Sequence, residues 1–330
     1  MTKPLRLIFC GTPGFAVPTL IALLAAGHEI ALVVSQPNRP AGRDRKLTAP
    51  PVKLAALAAG LPITQPETIR DNPEFRSQVE AIAPDAIVVV AYGRLIPPWM
   101  LALPRLGCIN LHASLLPRYR GAAPIQWAVA MGETITGNTT MLLEEGLDTG
   151  PLLMQQALAI FPHQTASDLL DVLSVGGAPL VVKTLAGLDD ETITPKPQNH
   201  AGASFAPLLT REDGRMDFSA RTATELKNRW RGFQPWPGAF TALKGKKLIV
   251  HRMEVVDTPG SLELNPAEPA LAQPASISPG QIRIQDHHLL VACAGNTWLE
   301  LIEVQLEGKK RLAAAEFLRG IALPANARLG

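Results

Sequence analysis

Cysteine is scarce in this chain of 330 residues: Cys10, Cys108 and Cys293 are all there is. They lie far apart, and their odd number matches neither a disulfide framework nor a zinc-ligand spacing. A reducing compartment is favoured and no metal is expected. Net charge is nearly absent too, at +2, so contact with nucleic acid would rest on local basic clusters and not on a global field. There is no signal peptide after Met1-Thr2-Lys3-Pro4 and no apolar run of about 18 residues, which points to a soluble, cytoplasmic protein free of membranes. Charged residues make up only 18% and hydrophobic ones 47%, a balance that excludes a disordered chain. The length leaves room for two domains and a sizeable core.

Two catalytic fingerprints are missing. Gly11-Thr12-Pro13-Gly14 follows an apolar run, but it lacks the G-x-G-x-x-G spacing, because Thr12-Pro13 replaces a single residue. The second strand ends in Ser35-Gln36, without an acid for a ribose. This disfavours a nicotinamide site and an oxidoreductase, and leaves a tight strand-to-helix turn. Gly-x-Ser-x-Gly is also absent, which favours a non-covalent mechanism. Asp148-Thr149-Gly150 occurs once, whereas an aspartic protease needs two such carboxylates on an all-β fold. Asp148 then either caps a turn or orients and charges a histidine.

What is present is an alternation of strands and helices. Residues 5–10, 30–34, 61–64, 86–91 and the run closing at His112 read as strands, as do 139–143 and 152–160. Residues 17–26, 52–59, 73–83, 123–131 and 166–185 read as helices. That order predicts an α/β fold, a doubly wound and mostly parallel sheet, over residues 1–188. The prolines at 195, 197 and 207 mark 189–207 as an exposed crossing segment. Beyond it, 208–330 holds short strands at 247–255, 281–284, 289–292 and 298–306, with helices at 222–231 and 313–318, and reads as a small β-barrel. Residues 258–279 hold five prolines and read as a long surface loop.

The candidate site lies at the end of the strand before residue 112. Asn110 and His112 are two apart, so on an extended chain both side chains leave one face. In open parallel sheets, ligands bind outside the carboxyl ends of strands. Ser114-Leu115-Leu116-Pro117 follows and offers backbone and hydroxyl groups. Residues 37–46 carry Arg39, Arg43, Arg45 and Lys46 against Asp44. This basic run is either a solvated loop or a holder of phosphates on a large anionic substrate. Residues 230–238 are aromatic and basic, and fit either a nucleic-acid platform or a packed aromatic corner at the domain junction.

These pieces together resemble the methionyl-tRNA formyltransferase family along nearly the whole chain. The resemblance rests on Gly11-Thr12-Pro13, residues 36–43, Val89-Val90-Ala91-Tyr92-Gly93, Asn110 to Pro117, Arg120 to Gln126, Gly146 to Gly150 and Pro235-Trp236-Pro237. The Asn-x-His and Asp pieces alone mark only the wider 10-formyltetrahydrofolate-dependent transferases. The basic loop and the C-terminal barrel narrow the match to the tRNA enzymes.

The resemblance implies catalytic roles for Asn110, His112 and Asp148. It implies a folate-binding segment at Ser114, Leu115, Leu116 and Pro117, with the pterin near Val90, Tyr92 and Gly93 and around Leu142. It implies tRNA contacts from Arg39, Arg43, Arg45 and Lys46, Arg43 foremost. The co-substrate would be 10-formyltetrahydrofolate without a metal, and the partner initiator methionyl-tRNA, bound by an OB-like barrel in a monomer. Leu208 and Arg211 stand where the family often has Lys, which puts one cationic tRNA contact in doubt, and Gly14 stands where it often has an acid. Other readings are a formyltransferase acting on a sugar nucleotide or glycinamide ribonucleotide, and a non-catalytic RNA-binding module. The barrel and basic loop weigh against the first, and the intact Asn110, His112 and Asp148 against the second.

Overall fold

Ala86–Val90 is apolar throughout, and the whole run is buried. Burial on both faces is what a central parallel strand requires. The computed structural model describes residues 3–41, 46–256, 278–324 and 326–330, and the chain divides into two compact units. The first holds 1–125, 134–162 and 168–208, and the second holds 126–133, 163–167 and 209–330.

In chain order the elements up to residue 189 are β1 (Arg6–Gly11), α1 (Val17–Ala25), β2 (Glu29–Val34), β3 (Arg39–Ala41), β4 (Lys46–Thr48), α2 (Pro51–Ala58), β5 (Ile63–Thr64), α3 (Pro73–Ile82), β6 (Ala86–Val90), α4 (Pro98–Leu101), β7 (Cys108–His112), α5 (Pro124–Ala130), β8 (Ile135–Leu142), β9 (Leu152–Ala159) and α6 (Ala166–Asp189). Local signals set several boundaries. Asn72 caps α3 by accepting the Phe75 N–H at 3.0 Å, with Pro73 at the first helical position.

The main sheet runs β5-β2-β1-β6-β7-β8-β9. β5, β2, β1, β6 and β7 are parallel, and β8 and β9 are antiparallel additions. The chain moves outward from β1 through β2 to β5, then restarts at β6 on the other side of β1. That reversal is a topological switch point, and the crevice it opens lies at the carboxyl ends of β1, β6 and β7. Ile8, Cys10, Ile87, Val89 and Cys108 pack one face against Phe75 and Val79 of α3.

The sequence reading finds no apolar run long enough to cross a membrane, yet α6 is long and apolar enough by composition, with a hydropathy of 1.6 over its apolar window. It is a core helix of the first unit. Leu169, Leu173, Val181 and Leu185 are buried, and its hydroxyls are spent inside the protein: Ser174 donates to the Phe15 carbonyl at 2.7 Å and Thr184 meets Thr140 at 2.7 Å. Gly177 lets α6 approach β7, since a Cβ there would lie 2.6 Å from the Leu111 side chain.

Two segments differ from the sequence reading. Residues 37–46 read as a loop, yet 39–41 and 46–48 form a two-stranded ribbon in which Arg39 pairs with Thr48 and Pro40 with Leu47. Proline and charge lower strand propensity, so the pattern hides it. Residues 189–207 stay mostly exposed, as their prolines suggest, but are pinned to the first unit. Leu152 and Lys196 exchange backbone bonds of 2.8 and 2.9 Å, and Arg120 donates to Ser204 and accepts from Ala206.

The second unit continues with α7 (Ala223–Gly232), β10 (Phe240–Leu243), β11 (Lys246–Val256), β12 (Ile282–Gln285), β13 (His288–Cys293), β14 (Thr297–Leu306), β15 (Leu312–Ala313) and α8 (Ala314–Arg319). Its antiparallel sheet runs β10-β11-β14-β13-β12, with β15 on β14. Leu248, Val250 and Met253 of β11 point into the core with Leu299, Leu301 and Val304 of β14. The C-terminal tail reaches both sheet edges: Leu329 bridges to Leu243 at the end of β10, and Arg328 bridges to Gln281 just before β12. The sheet thereby closes through the tail, which covers edges that would otherwise be open.

The aromatic stretch packs within this unit. Phe233 meets Trp127 edge-on at 5.4 Å, and the Arg229 guanidinium lies over both rings. The prolines of 258–277 lie outside the described residues.

Candidate active site

β7 delivers Asn110 and His112 to the crevice on the face they share with Cys108, in register with Val89 of β6 and with Met141 and Thr139 of β8. Both are buried, at 9% and 6% exposure. Burial pushes the Cys108 thiol up to about 12, so it stays neutral and unreactive.

The loop after β7 folds back beneath the histidine. The Nε2 of His112 lies 2.9 Å from the Tyr119 carbonyl. A carbonyl only accepts, so Nε2 carries the proton. Nδ1 then faces the carboxylate of Asp148, 3.7 Å away. That spacing is too long for a hydrogen bond. Asp148 sits in the β8–β9 connection at φ +51 and accepts the Gly121 N–H at 2.8 Å. Gly121 has φ +119, and a Cβ there would lie 2.7 Å from the Ala206 carbonyl. The side-chain amide of Asn110 makes no hydrogen bond to a described residue.

The segment 114–117 is pinned more tightly than its sequence suggests. The Ser114 hydroxyl donates to the Arg118 carbonyl at 2.7 Å, and the Ser114 carbonyl accepts from Thr139 at 2.6 Å. The Leu116 N–H donates to Thr139, and Gln155 donates to the Leu116 carbonyl. Leu115 accepts the Arg118 N–H, and Pro117 has no N–H to offer. The Ser114 hydroxyl expected to face a ligand is therefore spent inside the loop.

Val90 ends β6, with Tyr92 and Gly93 just beyond. Tyr92 is buried, and burial, with Cys10 adding to it, pushes its phenol up. Its carbonyl accepts from Thr12 and Gln36, and that of Gly93 from Gln36. One glutamine thus ties the ends of β2 and β6 together. Arg39 and Lys46 are exposed on β3 and β4, while Arg43 and Arg45 lie outside the described residues. Among the described residues no group of three His, Cys, Asp or Glu is placed to hold a metal.

Gln198 and Ser204 were not legible as parts of this site. The Ser204 Oγ accepts the Tyr119 N–H at 2.9 Å, and Gln198 donates to the Asp148 and Gly150 carbonyls. No local motif marks either residue; their partners lie 48 to 85 positions away.

A free carboxamide beside a buried imidazole and a carboxylate, at the switch point of a doubly wound sheet, defines an α/β enzyme suited to group transfer at a carbonyl carbon. Residues 5–184 match the formyl transferase family model and residues 208–322 match that of the formyl transferase C-terminal domain. The chain belongs to the formyl transferase family.

It is 59% identical over 326 residues to a methionyl-tRNA formyltransferase of Acidobacterium capsulatum, covering 99% of this chain and 100% of that one. It is 52% identical to that of Koribacter versatilis, covering 98% of each. Among solved structures, an N-formyltransferase from Helicobacter canadensis, in complex with folinic acid and dTDP-3-aminofucose, aligns with a TM-score of 0.60 at 15% identity over 90% of this chain and 98% of that one. HypX from Aquifex aeolicus, in complex with tetrahydrofolic acid, aligns with a TM-score of 0.58 at 15% identity over 96% of this chain and 47% of that one. Those two likenesses show the fold.

Proposed function

We propose that this enzyme transfers the formyl group of 10-formyltetrahydrofolate to the α-amine of methionyl initiator tRNA, for the start of translation. The observation that carries the reading is the Asn110–His112–Asp148 arrangement, in a chain 59% identical end to end to a methionyl-tRNA formyltransferase. The Asn110 carboxamide, free of partners among the described residues, fits a formyl oxygen. The amine attacks the formyl carbon, and Asn110 donates to the oxyanion that develops. Removing one donor of this kind costs about 2.7–4 kcal/mol of transition-state stabilisation.

One proton leaves the amine and one arrives on N10 as its bond to the formyl carbon breaks. His112 delivers the latter from Nδ1, because Nε2 is committed to Tyr119. Asp148 faces Nδ1 at 3.7 Å and, with solvent, takes the amine proton. A free α-amine has a pKa of about 7.7–8.0, and esterification lowers it, so a neutral fraction is available without a strong base.

The carboxyl ends of β6 and β7, with the 114–117 loop, receive the folate. The ribbon bearing Arg39 and Lys46 meets the phosphates of the acceptor end, and Arg43 and Arg45 add their charge to that contact. Residues 1–188 act as the catalytic domain and 208–330 as the tRNA-binding domain, joined by 189–207. The enzyme works as a cytoplasmic monomer without a metal; its three cysteines are free and buried.

The test is formyl transfer from 10-formyltetrahydrofolate to methionyl initiator tRNA, with free methionine and uncharged tRNA as controls. Transfer to the charged tRNA alone supports the reading. Folate binding without that transfer moves the acceptor to a small amine.

A further inference from the structure

Asp148 occupies a left-handed backbone conformation at φ +51, which a residue with a side chain adopts at a cost. Something must hold it there. The carbonyls of Asp148 and Gly150 converge on a single donor, the Nε2 of Gln198, at 2.9 and 2.8 Å. Both protons of that amide are thereby spent. Its Oε1 accepts two bonds from Arg120, 3.2 Å from Nε and 2.7 Å from a terminal nitrogen. A flipped amide would set its oxygen against two carbonyls and its NH2 against a guanidinium, so only one orientation is satisfied.

Arg120 is 4% exposed, and no carboxylate among the described residues forms an ion pair with it. Its one further side-chain partner is the Nδ1 of His200, at 3.1 Å. A buried guanidinium without a counter-charge is costly, and it is spent here on orienting one amide. The next residue, Gly121, donates its N–H to the Asp148 carboxylate. Arg120-Gly121 therefore holds the aspartate twice, its carboxylate directly and its backbone through Gln198.

We propose that Gln198, oriented by Arg120, is a positioning residue that fixes the Asp148 carboxylate relative to His112. This rests on the reading of Asp148 as the partner of that histidine. The 189–207 segment thus completes the catalytic unit.

The experiment is a double-mutant cycle on the full-length enzyme, read as single-turnover formyl transfer to charged initiator tRNA. Gln198→Met keeps the side-chain length and removes both donors. It is expected to lower the rate constant by about 10- to 100-fold, the scale for a misplaced catalytic group, with KM for folate and tRNA unchanged. In an Asp148→Asn background the same change is expected to cost less than about twofold, because coupled residues are not additive.

An equal loss in both backgrounds overturns the proposal, since a merely structural role would add. Wild-type turnover in Gln198→Met overturns it as well. Should Gln198→Met fail to fold, Gln198→Glu retains a partner for Arg120 while setting an oxygen against the two carbonyls. It is expected to show the same rate loss, and full activity would overturn the proposal. Full turnover in Asp148→Asn removes the reading of Asp148 and this proposal together. An impaired Asp148→Asn beside an unimpaired Gln198→Met removes the positioning role alone.

Discussion

His112 donates its Nε2 proton to the carbonyl of Tyr119, 2.9 Å away, and that bond selects the ring nitrogen left for chemistry. The carbonyl is itself aimed: Tyr119 has φ +60, and its N–H is held by the Ser204 hydroxyl. Nδ1 is left facing Asp148 inside a buried crevice. The reacting end of the histidine is thus set by main-chain geometry seven residues downstream.

Asn110→Ala should remove the oxyanion donor and lower kcat by about 10²–10³-fold. His112→Ala should lower it by about 10²–10⁴-fold, the usual range for a lost general acid. Filter binding of charged tRNA should be unchanged in both. Near-normal single-turnover rates in either variant would sink the assignment.

Gly121→Ala should strike stability and activity together. The new Cβ would meet the Ala206 carbonyl at 2.7 Å in a backbone region hostile to side chains. The expected cost is about 1–3 kcal/mol, read as a lower midpoint in urea. Relaxation of the clash would also move the N–H that Asp148 accepts, so kcat should fall in the folded fraction.

The ribbon should act through charge. Arg39→Ala and Lys46→Ala should raise KM for tRNA and leave KM for folate alone. If each contacts a phosphate, the slope of log affinity for tRNA against log salt should flatten by about 0.7–0.9 per residue removed. An unchanged slope would make the ribbon a solvated connection.

Asp85 links the start of β1 to the loop before β7. Burial by itself raises its pKa, but the Arg6 N–H at 2.8 Å and the Arg105 guanidinium at 2.7 Å outweigh this and hold the carboxyl below its usual range. A depressed folded-state pKa stabilises the protein above the unfolded value, about 3.9, and the gain is lost as pH falls through the folded value. Asp85→Asn should therefore cost stability at pH 7, roughly 1 kcal/mol after allowing for the half-exposed Arg105. The gap to wild type should close below about pH 4. Urea melts across that range would test it; a gap constant with pH would remove the electrostatic account.

The element order was largely legible because the parallel strands are buried on both faces and so appear as continuous apolar runs. β6 and the run ending at His112 are the clearest cases. β3, β4 and β10 were not, since proline, charge or shortness erases the period on which such a reading depends. The composition of 189–207 suggested an exposed crossing segment, and its prolines do keep it irregular. The backbone groups of Lys196, Ser204 and Ala206 nonetheless pair with Leu152, Pro117, Arg120 and Ala123.

The period of two in an extended chain by itself determined that Asn110 and His112 share a face, and the missing fingerprints disfavoured a nicotinamide site and favoured a non-covalent mechanism. Only the tertiary structure decided which histidine nitrogen is free, that the Ser114 hydroxyl is consumed inside its loop, and that Asp148 is held by Gly121 and Gln198. Local patterns record which face a side chain leaves by. They carry no record of a hydrogen bond between residues 27 or 50 positions apart, whose geometry exists only once the sheet and the loops above it have closed.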